Sequence, residues 1–116
     1  MTTPPTPLPG RPVRGSDSGR PIMALFDLLG RRWMLRVLWE LRQDPAPTFR
    51  ELQQRCDNVS SSVLADRLRE LTDAALVEHA GGGYVLTEQG RALLQSLAPL
   101  TAWAADWRTK AAERRG

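Results

Sequence analysis

Apolar residues recur at helical spacing from residue 21 onward. Pro21 stands where a first turn tolerates proline, and the positions i, i+3, i+4 and i+7 hold Ile22, Leu25, Phe26 and Leu29. Gly30 ends this pattern, and a second stripe that starts near Arg31 contains Met34, Val37, Leu38 and Leu41. Pro45 and Pro47 stop the second stripe, so two consecutive helices are predicted.

Two further helices are predicted in the middle of the chain. Thr48 and Glu51 have the spacing of a capping box, in which each side chain bonds the backbone amide of the other residue. The short third helix that follows has the apolar residues Phe49, Leu52 and Cys56. Asp57 and Asn58 make a tight connection to a fourth helix over about 60–74, whose inward residues are Leu64, Leu68 and Leu71.

The pattern changes to short extended runs after the fourth helix. Residues 76–79 and 84–86 are predicted strands, and the glycines from Gly81 to Gly83 allow the chain to reverse. Thr87 caps a last helix, which Pro99 is expected to kink. The apolar positions of this helix are Leu93, Leu94, Leu97, Leu100, Trp103, Ala104 and Trp107.

The order of these elements predicts a mainly α fold with a small β-hairpin, the winged helix-turn-helix. Residues 21–110 would form this domain, including a C-terminal helix for dimerisation, and residues 111–116 a C-terminal tail. Residues 1–20 are rich in proline and glycine and have few apolar side chains, so a disordered N-terminal tail is expected.

Composition limits the classes of protein that remain. The 116 residues suit one small domain, and no apolar run is long enough for a membrane span, so a cytoplasmic location is expected. Cys56 is the only cysteine and His79 the only histidine, so neither a disulfide, a zinc site nor a cofactor is expected. The net charge of +3 permits binding to double-stranded DNA without requiring it.

The outward face of the fourth helix is the candidate DNA-reading surface. If its leucines point inward, the outward residues are Ser61, Ser62, Ala65, Asp66 and Arg69. Ser60 is expected to cap the helix and to contact phosphate as a second role, whereas Arg69 would bind guanine or phosphate. The alternative is a solvated face that also includes Arg67, Glu70 and Asp73, with Arg69 and Asp73 paired.

Four segments together resemble the HxlR-type transcriptional regulators, relatives of the MarR group. They are ALFDLLGRRWMLRVLWEL, TFRELQQR, VSSSVLADRLRELTDAALVE and YVLTEQGRALL, and the resemblance extends from about Pro21 to Trp107. It implies a dimeric DNA-binding regulator, usually a repressor, whose first and last helices build the dimer. A two-fold dimer implies a pseudo-palindromic operator.

The sequence departs from the family pattern at three places. Arg20 occupies the position just before the first helix where oxidant-sensing members have a cysteine, so thiol sensing by that route is not expected. Cys56 lies at the end of the third helix on its apolar face, where a buried structural thiol is expected rather than a reactive one. The hairpin has no Lys or Arg, which leaves His79 and the glycine amides as its candidate phosphate contacts. Ala75 replaces the glycine that commonly ends the fourth helix.

The four tryptophans raise the question of an effector. Trp33, Trp39, Trp103 and Trp107 are candidates for a pocket at the dimer interface that takes a planar aromatic effector, and simple packing is the alternative.

The competing function is a winged-helix dimer that binds a protein or a small molecule and has weak or lost DNA binding. The uncharged hairpin and the acidic Asp66 favour that alternative. No catalytic residues are expected, because Gly81 to Gly83 lack the lysine of a phosphate loop and no nucleophile has a base beside it.

Overall fold

The computed structural model describes residues 5–43 and 45–115, which form six helices and one antiparallel hairpin. In chain order the elements are α1 (Pro21–Leu29), α2 (Met34–Glu40), α3 (Phe49–Arg55), α4 (Ser61–Asp73), β1 (Val77–Ala80), β2 (Gly83–Leu86), α5 (Glu88–Leu97) and α6 (Pro99–Arg115). This order confirms the predicted mainly α fold with a small β-hairpin. Among these helices, none has the length and apolarity that crossing a membrane would take.

The core is built from the apolar stripes of α2, α3 and α4 together with the hairpin. Its largest fully buried apolar residues are Met34, Val37, Leu38, Leu52, Leu64, Leu71 and Val77. Helix α1 contributes Ala24 and Leu28 to the buried side, whereas Ile22 and Phe26 remain 47% and 58% exposed. Of the predicted apolar stripe of α1, Ile22 and Phe26 therefore face solvent, whereas Leu29 packs against the core.

Helix α2 begins three residues later than the sequence pattern indicates. Arg31 to Trp33 form a turn in which the Met34 amide donates to the Arg31 carbonyl oxygen over 3.1 Å. Trp33 has a left-handed φ of 68°, which is unusual for a bulky side chain. Packing of the half-buried indole against the core helps to offset that strain.

The predicted capping box of α3 is confirmed. The Glu51 amide donates to Thr48 Oγ1 over 3.2 Å, and the Thr48 amide donates to Glu51 Oε1 over 3.0 Å. The bond from the Thr48 amide lowers the pKa of Glu51. The contribution of this carboxylate to stability is thus full above its ordinary pKa and is lost as the pH falls through the lowered value.

Helix α4 ends in a left-handed residue that is not glycine. Ala75 has φ of 60°, the Leu76 amide donates to the Leu71 carbonyl oxygen over 2.9 Å, and the Ala75 amide donates to Thr72 over 3.0 Å. These two bonds define a Schellman motif. The helix therefore keeps the ending that glycine usually provides, with alanine in the strained position.

Replacing Ala75 with glycine is expected to raise the free energy of unfolding by roughly 0.5 to 1 kcal/mol. Relief of the left-handed strain exceeds the entropy that glycine adds to the unfolded chain. The measurement is urea unfolding followed by circular dichroism, with Ala74→Gly as control, because Ala74 has an ordinary φ of −82°. An equal loss of stability in both variants would contradict the assignment of strain to Ala75.

The hairpin is a four-pair ladder closed by a two-residue turn. Val77 pairs with Leu86, and Ala80 pairs with Gly83. Gly81 and Gly82 have φ of 58° and 79°, so both take the positive φ of a type I′ turn. The expectation that Gly83 also serves this reversal is wrong: it is buried, and a Cβ there would approach the Pro47 carbonyl oxygen to 2.7 Å.

The predicted kink at Pro99 separates two helices. Helix α5 packs on the hairpin and α2 through the half-buried Leu93 and Leu94, whereas α6 has no buried residue. Because α6 extends to Arg115, the predicted tail 111–116 is helical up to that residue, and Gly116 lies outside the described residues. The charged residues at the end of α6 thus form an exposed helix, although their composition alone predicted a tail.

The N-terminal segment contacts the domain through polar groups. Thr6 is 7% exposed and its hydroxyl donates to Asp73 Oδ2 over 2.9 Å, while an Arg31 guanidinium nitrogen donates to the Pro5 carbonyl oxygen over 3.1 Å. Arg14 lies 3.3 Å from Asp27. Disorder stays a prediction for residues 1–4, which lie outside the described part. From residue 5 onward, these polar contacts hold the segment against the domain, although the segment has few apolar side chains to bury.

Candidate nucleic-acid interface

The predicted DNA-reading residues lie together on the outward face of α4. The four exposed positions of this face are Ser61, Ser62, Ala65 and Arg69. Asp66 joins them with a side chain that is 49% exposed. The opposite face buries Leu64, Leu68 and Leu71, as predicted. Ser60 precedes the helix, and its hydroxyl accepts from the Val63 amide over 3.3 Å, so its role as N-cap is confirmed.

The turn between α3 and α4 is fixed by side chains that the sequence pattern did not single out. Gln53 Nε2 donates to the Val59 carbonyl oxygen over 2.8 Å and to Ser61 Oγ over 3.1 Å. Asp57 and Asn58 are both left-handed, with φ of 54° and 58°, as suits a tight connection. Gln53 therefore couples the short helix α3 directly to the first turn of α4.

Arg36 of α2 clamps the same turn from the other side. Its guanidinium donates to Glu40 over 2.8 Å, to Asp57 over 3.1 Å and to the Arg55 carbonyl oxygen over 2.7 Å. The hydrogen bond with Glu40, followed by the bond with Asp57, raises the pKa of Arg36. The pair with Glu40 is a local i,i+4 contact on α2, whereas Asp57 and the Arg55 carbonyl oxygen come within reach only when α2 packs against α3.

Arg69 is held by weak ion pairs on its own helix. Its guanidinium lies 3.6 Å from Asp73, the predicted pair, and 3.9 Å from Asp66. All three side chains are between 40% and 49% exposed, so solvent screens the pairs and each is worth at most about 1 kcal/mol. Arg69 can therefore exchange these partners for an external anion at small cost.

The rear of α4 carries a buried charge network. Glu70 is 1% exposed and contacts the Arg31 guanidinium, while Arg67 Nε lies 2.6 Å from Glu70 Oε1. Asp27 extends the network to 3.9 Å from Arg31. The interpretation of α4 charges as a solvated face is therefore wrong for Glu70 and Arg67, because the turn after α1 contacts both side chains through the Arg31 guanidinium and the Arg32 carbonyl oxygen.

The hairpin presents little charge at its tip. His79 is exposed, and its ring packs 4.1 Å from the ring of Tyr84, its partner across the strands. Gly81 and Gly82 form the turn and have no side chains. The only polar groups that the tip itself can offer to phosphate are therefore backbone amides, and His79 as a DNA contact stays a prediction.

The four tryptophans occupy three separate places. Trp33 packs against the core, and Trp39 lies 42% exposed under the Arg42 guanidinium at 3.9 Å. Trp103 and Trp107 stack on α6 with ring centroids 5.5 Å apart and are 59% and 60% exposed. The predicted effector pocket requires a second copy of the chain, so it stays a prediction.

Cys56 is enclosed by the core. Its side chain is 0% exposed, and burial, the largest influence on it, raises the pKa of the thiol to about 11. At neutral pH the thiol is therefore protonated and a poor nucleophile. Within residues 5–43 and 45–115, no three His, Cys, Asp or Glu side chains gather as a metal site would require.

Comparison with known proteins agrees with this architecture. The sequence profile of the HxlR-like helix-turn-helix family matches residues 28–112. An uncharacterized helix-turn-helix-type transcriptional regulator of Methanocaldococcus jannaschii is 29% identical over 90 residues, which are 74% of this chain and 84% of that protein.

Solved structures extend the comparison to the fold. Quinone-bound YodB of Bacillus subtilis is 34% identical with a TM-score of 0.67, and the match covers 73% of this chain and 96% of that one. A MarR-family transcriptional regulator of Enterococcus faecalis is 28% identical with a TM-score of 0.69, over 87% and 97% of the two chains. With a family profile that matches most of its length, the chain belongs to the HxlR-like helix-turn-helix family of transcriptional regulators.

Proposed function

We propose that the protein is a homodimeric repressor that inserts α4 into the major groove of a pseudo-palindromic operator. The family is one of DNA-binding helix-turn-helix regulators. The observation that supports α4 as the DNA-reading helix is its amphipathic character. Its leucines are buried, whereas Ser61, Ser62, Ala65 and Arg69 face solvent from a helix that Gln53 and the Ser60 cap hold in place.

The chemistry of this face suits DNA. Serine hydroxyls near the N-terminus of a helix can donate to phosphate, and that end of the helix also favours negative charge. Arg69 would then form a bidentate pair with guanine or contact a phosphate. Asp66 would lower non-specific binding by repelling the backbone, so that affinity depends on a matching operator.

Exposed apolar side chains support the dimer. Ile22 and Phe26 of α1 and Leu100, Trp103 and Trp107 of α6 are each between 47% and 60% exposed. A second copy that covers both helices would remove these groups from water. Two-fold symmetry would then place the two α4 helices one DNA turn, about 34 Å, apart.

Substitution of Arg69 by alanine is expected to weaken binding to the operator about tenfold or more, since a bidentate base contact contributes roughly 1 to 3 kcal/mol. The measurement is fluorescence anisotropy with DNA from upstream of the protein's own gene and with a scrambled duplex, from about 50 to 200 mM salt. Arg114→Ala is the matched control, because Arg114 is exposed near the end of α6.

Two outcomes would contradict the proposal in different ways. Tight binding of the upstream DNA whose affinity changes neither with salt nor with the Arg69 substitution would mean that α4 does not contact the DNA. Equal, feeble binding of both duplexes by the wild-type protein would favour the alternative, a winged-helix module for a protein or a small molecule. The uncharged hairpin tip is the observation that supports this second candidate.

An aromatic effector is the finer part of the proposal. YodB has been solved with a bound quinone, and the stacked, exposed Trp103 and Trp107 offer this chain a flat apolar surface for a planar ring. Binding would be non-covalent here, because the Cys56 thiol is buried and protonated. Titration with 1,4-naphthoquinone should quench tryptophan fluorescence, and an unchanged response in Trp103→Leu would remove this surface as the site.

A further inference from the structure

A cavity lies between the N-terminal segment and the rear of the helix-turn-helix unit. It has a volume of about 670 Å³, and its walls come from residues 5–7 and 11–14, the end of α1, the turn before α2, and Arg67 of α4. Small-molecule sites have volumes of roughly 300 to 1,000 Å³. The cavity is therefore large enough for a small organic ligand.

Arginines dominate the polar part of its wall. The ionisable residues that line it are Arg11, Arg14, Arg31, Arg32, Arg67 and Asp27. Asp27 pairs with Arg14 at 3.3 Å and with Arg31 at 3.9 Å, and the buried Glu70 behind the wall pairs with Arg31 and Arg67. Five guanidinium charges thus face two carboxylate charges, which leaves a surplus of three positive charges.

Two of these arginines are available to a ligand. Among the described residues, Arg11 and Arg32 make no ion pair, and both are exposed. A guanidinium group binds carboxylate or phosphate oxygens through two parallel hydrogen bonds. Pro5, Pro7, Pro12 and Val13 supply the apolar part of the wall, which can contact a carbon skeleton.

We propose that this cavity is a binding site for a small organic anion that has several carboxylate or phosphate groups. Arg11 and Arg32, which come from two different segments of the wall, hold the anionic groups, and the surplus of positive charge favours a multivalent ligand. Arg11 belongs to the N-terminal segment and Arg32 to the turn before α2, so a bound anion joins the segment to the domain.

Two sets of contacts connect the site to α4. Arg67 lines the cavity and belongs to α4, and its guanidinium also donates to the Arg32 carbonyl oxygen over 3.2 Å. Thr6 donates to Asp73, which lies 3.6 Å from Arg69. An anion that fixes the N-terminal segment therefore acts on the partners of Arg69, and this consequence for DNA rests on the proposed function.

The test uses the full chain without DNA and citrate as the probe. Isothermal titration at constant ionic strength is expected to show saturable citrate binding, which the double variant Arg11→Gln and Arg32→Gln weakens at least about tenfold, because charged hydrogen bonds are lost. The matched control is Arg91→Gln with Arg114→Gln, which removes the same charge from exposed positions outside the cavity. Citrate binding in that control should equal that of the wild-type protein.

The remaining outcomes overturn the proposal. No citrate binding by the wild-type protein would show that the cavity is not a binding site for such an anion. An equal loss of citrate binding in both double variants would show that the net charge of the protein, rather than the cavity, attracts citrate. A second experiment measures the salt dependence of DNA binding. If the cavity variant binds citrate normally and its salt slope falls by about two contacts, these arginines bind DNA phosphates instead.

Discussion

Substitution of Gly90 by alanine is expected to lower the free energy of unfolding by about 3 kcal/mol. Gly90 lies in the first turn of α5, where a Cβ would overlap the Leu76 carbonyl oxygen. That oxygen cannot move away freely, because it accepts the Thr87 amide over 3.0 Å. The added methyl group must therefore separate α5 from the start of the hairpin.

The direction of this effect is diagnostic. In an unobstructed helix interior, alanine is more favourable than glycine by about 1 kcal/mol, so the same substitution would stabilise the protein. Urea unfolding should be measured beside Gln89→Ala, which changes an exposed neighbour on the same helix. A gain of stability in Gly90→Ala would mean that α5 does not pack this closely on Leu76.

Substitution of Glu70 by glutamine is also expected to cost about 3 kcal/mol. Glutamine has the same shape but no charge, so the guanidinium groups of Arg31 and Arg67, only 13% and 15% exposed, lose their shared counter-ion. Removal of one member of a buried ion network leaves uncompensated charge behind, here an Arg67 without its counter-ion and an Arg31 that keeps only Asp27, at 3.9 Å. Most of the lost stability is therefore the desolvation cost of the two arginines, which Glu70 no longer offsets, rather than the energy of one contact.

Asp66→Asn is the matched control for the Glu70 substitution. It removes a carboxylate from the same helix one turn earlier, at a side chain that is 49% exposed, and should change stability by at most about 0.5 kcal/mol. Chemical unfolding of both variants compares the two sites. Similar small effects would mean that water reaches Glu70 and screens it as it screens Asp66.

The features predicted from sequence are those that depend on near neighbours in the chain. Thr48 and Glu51 are three residues apart, and the capping box needs no other part of the molecule. The leucines of α4 recur at helical spacing, so their burial follows from the pattern alone. The same is true of the turn at Gly81 and Gly82, whose backbone freedom is local.

The features that escaped prediction depend on what another element brings to a residue. Glu70 has an ordinary position on an amphipathic helix, and only the approach of Arg31, 39 positions away, turns it into a buried ion. Gly83 looks like a third turn residue, although its real constraint is the Pro47 carbonyl oxygen. The N-terminal segment likewise contacts the domain through Thr6 and Asp73, 67 positions apart.

The two-sided construction of α4 has a consequence for how operator preference can evolve. Stability resides in its rear, in the leucines and the Glu70 network, whereas Ser62, Ala65 and Arg69 make no hydrogen bond or ion pair with another described element. Exposed substitutions of this kind usually change stability by less than about 0.5 kcal/mol. Mutations in these three positions can therefore accumulate almost neutrally for folding, which leaves sequence preference free to diverge between paralogues.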